Sequence, residues 1–190
     1  MSKKLILLDA YALIYRAHFA FIKNPRINSK GLNTSAIFGF CNSLLEVTNK
    51  FDPSHIGVVF DPPGGSDREG VFADYKANRQ EMPEDIRKAI PHIFDLLKAM
   101  NIKVEMEEGF EADDVIGTLA KQAEKKGFET YMMTPDKDFG QLVSDHIFIY
   151  KPGRSGNPSE ILGPKEVCEK FEVKDPLQVI DILGLWGDAV

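Results

Sequence analysis

Short apolar runs alternate with helix-length segments along this chain, and acidic residues stand where the runs end. Leu5-Ile6-Leu7-Leu8 stops at Asp9, and Ile56-Gly57-Val58-Val59-Phe60 stops at Asp61. Val104-Glu105-Met106 leads through a short loop to Glu111, Asp113 and Asp114, and Tyr131-Met132-Met133-Thr134 leads to Asp136 and Asp138. A brief apolar run between polar residues reads as a buried strand. Strands alternating with helices give an α/β fold with a mainly parallel sheet. In such a sheet the carboxyl ends of the strands share one crevice, where ligands bind. Carboxylates remote in sequence would converge there and repel one another unless cations sit among them. Hard oxygen donors in that number suit magnesium or manganese.

The spacing predicts strands near 4–8, 55–60, 102–106, 129–133 and 147–150. It predicts helices over 10–22, 34–50, from Pro83 onward, over 111–126 with Gly127 at the end, and near 164–171 and 176–185. Pro83 takes the favoured first helical position, and Pro91 is placed to kink the helix that follows. Residues 152–158 read as turns. The stretch 61–82 has neither period; a connection that long inside a compact domain is usually functional. It opens with Pro62-Pro63-Gly64-Gly65 and then carries Arg68, Tyr75, Lys76 and Arg79.

Composition narrows the class. With 43% hydrophobic and 27% charged residues over 190 positions, the chain can build one domain with a real core. Cys41 and Cys168 have no partners at metal-site spacing and read as reduced core thiols of a cytoplasmic protein. Lys3-Lys4 and the apolar run after them imitate a signal peptide, but Asp9 and Arg16 interrupt it too early. No apolar stretch approaches the roughly 20 residues of a membrane span. The net charge of −6 argues against a nucleic-acid partner only at first sight. Eight acids are candidates for the crevice: Asp9, Asp61, Glu111, Asp113, Asp114, Asp136, Asp138 and Asp188. Without them the remaining chain carries +2.

Each acid also has an ordinary explanation as a helix cap, a turn former or a partner of a helix dipole. Caps need one acid per helix, whereas this chain supplies pairs. Glu111 with Asp113, and Asp136 with Asp138, reach a shared ion if the backbone there is not yet regular helix. Lys76 and Arg79 can neutralise phosphate, arginine bidentately, and Tyr75 can stack on a base. Arg16 points toward the neighbourhood of Asp9.

These segments together resemble the 5′-nuclease family, and most closely the 5′→3′ exonuclease domain at the N-terminus of bacterial DNA polymerase I. The resemblance rests on Leu7-Leu8-Asp9 with Tyr15-Arg16, Val59-Phe60-Asp61, Tyr75 through Arg79, and Glu111-Ala112-Asp113-Asp114-Val115-Ile116-Gly117. It rests also on Asp136-Lys137-Asp138 with Gln141-Leu142-Val143, and on Gly184-Leu185-Trp186-Gly187-Asp188. It implies a PIN-like core over 1–190, with an arch or gateway over about 61–83, and hydrolysis of DNA phosphodiesters at a free 5′ end, nick or flap. It implies two divalent cations, magnesium with manganese able to substitute. Asp9, Asp61, Glu111 and Asp113 would serve one; Asp114, Asp136, Asp138 and Asp188 the other. Lys76, Arg79 and Asp113 would be catalytic, and Tyr15, Arg16, Arg68, Tyr75, Lys76 and Arg79 would contact DNA. It further implies a polymerase domain covalently linked in the parent protein, and a duplex-binding helix-three-turn-helix beyond Asp188-Ala189-Val190. Ala10 replaces a common glycine, Pro135 a small flexible residue, and Asp67 an aromatic. A PIN-like ribonuclease and a magnesium-binding receiver-type signalling module are the rival readings.

Overall fold

The computed structural model describes residues 3–64, 81–153 and 157–186. Among them, six strands form one sheet: β1 (Lys3–Asp9), β2 (His55–Val59), β3 (Lys103–Glu105), β4 (Phe128–Met133), β5 (Ile147–Lys151) and β6 (Glu160–Leu162). Their order is β3-β2-β1-β4-β5-β6, parallel throughout except for β6, which runs antiparallel to β5. The chain therefore starts at the centre, moves outward through β2 and β3, then crosses back to β4 on the other side of β1. The point between β1 and β4 is where the winding reverses, the place where open α/β sheets put their ligands.

Alternation along each strand divides the core between two faces. Ile6 and Leu8 of β1, Val58 of β2 and Met133 of β4 pack on one face. They meet α1 (Ala10–Ala20), α2 (Ser35–Phe51) and α3 (Glu84–Ala99) through Leu13, Ile14, Phe40, Leu44, Ile86 and Ile93. Leu7, Val59, Met132 and Ile149 pack on the other face. There they meet α4 (Ala112–Lys125), α5 (Pro164–Phe171) and α6 (Val179–Trp186) through Ile116, Ala120, Val167 and Val179. Each fully buried aliphatic side chain contributes roughly 1.5–3 kcal/mol. Two covered faces are what uninterrupted apolar strands demand.

Several boundaries move for local reasons. α1 ends at Ala20 rather than Ile22, and Phe21 N–H bonds back to His18 O at 3.2 Å. Pro83 stands just before α3 rather than inside it, with an extended ψ of 137°, and the helix runs through Pro91 to Ala99. α4 begins at Ala112, so Glu111 is its cap and Asp113 already lies in regular helix. Gly127 after it takes φ +76°, the left-handed conformation glycine adopts without penalty. Residues 138–142 form a 3₁₀ turn. β6 follows the turns read over 152–158, where no strand was expected. Residues 176–178 are a 3₁₀ turn ahead of α6 rather than its first turn. Among the described residues no helix is long and apolar enough to cross a membrane.

Candidate metal and phosphodiester site

Parallel pairing sends the ends of β1, β2 and β4 to one edge of the sheet, and each end delivers a carboxylate. Asp9 closes β1 and caps α1: its Oδ1 accepts from Ala12 N–H at 3.1 Å, and its Oδ2 accepts from the Thr134 hydroxyl at 3.1 Å. Asp61 follows β2. Its Oδ1 accepts from Ala112 N–H at 2.8 Å, a bond that ties the end of β2 to the first residue of α4. Asp136 follows β4. Its own N–H donates to Thr134 Oγ1 at 3.2 Å, and its Oδ1 accepts from Asp138 N–H at 2.9 Å. One oxygen of each carboxylate is thus pinned by a backbone N–H. The helix-cap reading of Asp9 and the ligand reading describe the same orientation.

These three carboxylates share an electrostatic field. Burial pushes the Asp9 carboxyl up to about 6, and the charges of Asp61 and Asp136 push in the same direction against its two hydrogen bonds. Burial and then Asp61 also raise the Tyr11 hydroxyl above its ordinary value, and the Tyr11 ring meets Phe60 edge-on at 5.5 Å. Glu111 is buried at the head of α4. Asp114 Oδ2 reaches back to Glu111 N–H at 3.2 Å, half of a capping box, and Asp113 Oδ1 accepts from Asp114 N–H at 2.8 Å. Asp113 and Asp114 line a cleft with Asp138 from across the crevice. The positive end of the α4 dipole meets Asp61 and Asp114, which accept from the N–H groups of Ala112 and Glu111.

The acids therefore come together in two sets, Asp9 with Asp61 and Asp136, and Asp113 with Asp114 and Asp138. Among the described residues, however, no three carboxylate, imidazole or thiol groups stand close enough to hold one ion as placed. The donor chemistry still fits a hard divalent cation. Every candidate donor is a carboxylate oxygen, and a half-buried carboxyl pressed by two like charges is a group that a nearby cation would relieve.

Other expected residues are distributed as follows. Arg16 lies on α1, and its guanidinium donates to Pro152 O at 3.0 Å and also to Gly153 O, so it sits at the β5 end of the same edge. Tyr15, its neighbour on α1, is half-buried. Asp188, Arg68, Tyr75, Lys76 and Arg79 lie outside the described residues, as does most of the expected arch. Two positions escaped sequence reasoning. Thr134, fully buried, joins Asp9 to the backbone of Asp136; its signal was a hydroxyl residue ending an apolar strand two positions before an acid. Lys151 closes β5 and donates to Pro135 O at 3.2 Å, fixing the residue before Asp136. Burial, and then Lys170 beside it, hold its amine below the usual lysine range.

A mainly parallel sheet with carboxylates gathered at its winding reversal places the chain among the α/β proteins that carry their site at that edge. Comparison with known proteins narrows that class. The family described as 5′-3′ exonuclease, N-terminal resolvase-like domain, matches residues 4–172, and the chain belongs to it. The DNA polymerase I of Bacillus subtilis strain 168 is 40% identical over 188 residues, covering 98% of this chain and 21% of that protein. A 5′-3′ exonuclease of Aquifex aeolicus is 38% identical over 188 residues, covering 99% of this chain and 63% of that one. The chain thus spans about a fifth of the polymerase's length. In fold it is similar to the T5 D15 protein co-crystallised with metal ions (TM-score 0.72, 16% identity, 98% of this chain and 67% of that one). It is also similar to the catalytic core of Rad2 in complex with DNA substrate (TM-score 0.59, 19% identity, 98% and 55%).

Proposed function

We propose that this chain is a divalent-cation-dependent 5′ nuclease module that hydrolyses DNA phosphodiesters at free 5′ ends, nicks and flap junctions. The observation that carries the reading is the convergence of Asp9, Asp61 and Asp136 at the reversal point of the sheet, where burial first, and then the two neighbouring charges, raise the Asp9 carboxyl. Membership of the exonuclease family supports it. The cations would be held among Asp9, Asp61, Glu111, Asp113, Asp114, Asp136, Asp138 and Asp188; the grouping of Asp136 with Asp9 and Asp61, and of Asp113 with Asp114 and Asp138, favours that division over the one the resemblance implies. Magnesium is the expected ion, with manganese as a substitute; the T5 relative of similar fold was crystallised with metal ions. When bound, such ions supply a water of lowered pKa and stabilise charge on the departing oxygen.

The chain's own groups do the rest. Ala12 and Ala112 N–H and the Thr134 hydroxyl hold Asp9 and Asp61 in fixed orientations, so the ligands need little reorganisation. Lys76 and Arg79 neutralise charge growing on the phosphoryl oxygens, and Tyr15, Arg16, Arg68 and Tyr75 steer the strand on either side. The unit over 1–190, with its gateway near 61–83, acts inside a longer cytoplasmic protein that carries a polymerase domain. The share of the relatives' length that it matches supports that arrangement.

Single-turnover cleavage of a 5′-flap substrate by the full-length protein tests the reading. Lys76→Ala should slow cleavage about 10²–10³-fold, the usual cost of losing one such donor, with magnesium affinity nearly unchanged. Asp113→Asn should abolish cleavage while the fold persists. Wild-type rates for either variant would contradict the assigned role.

A further inference from the structure

Helix α4 carries more than the acids at its head. The cleft that Asp113, Asp114 and Asp138 share has a volume of about 600 Å³ and continues down the helix, with the 3₁₀ turn 138–142 as its far wall. Along this length α4 presents Thr118, Lys121, Gln122 and Lys125, and the far wall presents Gln141. The α4 positions differ by three and four, so they form one stripe over successive helical turns. Every one of these five side chains can donate a hydrogen bond, and two are cationic. Gln141 is held in place by donating through Nε2 to Asp138 O at 3.0 Å. Lys121 meets Glu124 at 3.6 Å in a pair whose lysine is solvent-accessible and whose carboxylate is partly buried; solvent screening on the lysine side leaves it able to turn to a stronger anion. Gly117 keeps the floor low: a Cβ there would stand 3.1 Å from Leu142 Cδ1.

One end of this cleft is anionic and the other cationic. Such a gradient suits a polyanion that offers one phosphate to cations at the acidic end and is gripped at later phosphates by ammonium groups. By helix rise, Lys121 and Lys125 lie about 10 Å and about 16 Å beyond Asp114 along the axis. Duplex DNA places one phosphate per ~3.4 Å of axis on each strand. We infer that the cleft between α4 and the 3₁₀ turn is a phosphate track for the DNA strand leading away from the scissile bond. Lys121 and Lys125 grip it about three and about five nucleotides from the cut, and Thr118, Gln122 and Gln141 donate to it between them. The inference rests on the nuclease reading above and adds to it the path of the strand on this side of the acids.

Fluorescence anisotropy with a 5′-flap duplex in calcium, at a series of salt concentrations, tests it on wild type, Lys121→Gln, Lys125→Gln, the double variant and the double arginine variant. Each glutamine should reduce the slope of log affinity against log salt by about 0.9, the share of one phosphate contact. The arginines should restore the slope, and melting temperatures should not move. A double glutamine variant with the wild-type slope would overturn the track. Flap cleavage by the wild type, measured alongside in magnesium, separates the two readings. Cleavage with an unchanged slope removes the track alone, whereas no cleavage and no salt-dependent binding by the wild type removes both.

Discussion

Asp9 is the residue where the competing demands of folding and of the site are most visible. Its carboxyl caps α1, accepts from a buried threonine, and lies beside two other carboxylates. An unfolded aspartate titrates near 3.8, whereas this one is pushed up to about 6. The folded state therefore holds its proton more tightly, and stability falls as pH rises through the window from about 4 to about 6. The difference corresponds to about 3 kcal/mol by pH 7 in the absence of divalent ions. Asp9→Asn keeps an oxygen for Ala12 N–H and removes the charge. In a chelating buffer it should stabilise the protein at pH 7 by up to that amount, with little gain near pH 4, while nuclease activity is lost. Denaturant unfolding across that range checks this, and an equal gain at both ends would contradict the assigned cause. Much of this site was legible in the sequence because acids after apolar runs are a local pattern. Thr134 was not, because a lone hydroxyl residue at a strand end is usually only a polar terminus, and its partners lie at Asp9 and Asp136.

At the scale of elements, the placement of the acids depends on helices packing closely against the sheet. α1, which carries Tyr15 and Arg16, lies against α2 where Gly39 faces Ala17. A Cβ on residue 39 would approach Ala17 Cβ to 2.5 Å. Gly39→Val should cost about 1–3 kcal/mol or more through overpacking, and should lower DNA affinity by shifting α1. A thermal melt and the same anisotropy assay test this; a fully stable valine variant would show that the helices can part without cost. β1, β2, β4 and β5 were readable because burial forces apolar runs; β3, Lys103-Val104-Glu105, was readable only from its place between two helical patterns. β6 was not, because Glu160-Ile161-Leu162 is too short for any period and becomes a strand only through antiparallel pairing to β5. The head of α4 also differed from expectation. Helix was expected from Glu111 onward, and a shared ion for Glu111 and Asp113 only if the backbone there were irregular; Asp113 lies in regular helix, whose head is fixed as Asp61 and Asp114 accept the backbone N–H groups of Ala112 and Glu111.

For the whole molecule, a net charge of −6 would repel a polyanion if it were spread evenly. The fold concentrates carboxylates at the reversal point of the sheet, where the positive end of α4 and bound cations can offset them, and leaves the lysines of α4 on one flank. Topology does this: parallel pairing sends Asp9, Asp61 and Asp136 to one edge, and a central β1 places Asp9 between the ends of β2 and β4. The central claim is that this edge binds divalent cations. Anomalous diffraction from crystals soaked in manganese tests it most directly. Manganese peaks about 2.0–2.6 Å from oxygens of Asp9, Asp61, Asp136 and their neighbours on α4, the range for hard cations on oxygen ligands, are the predicted result. No peak at that edge, in crystals whose soak labels other carboxylates, would contradict it.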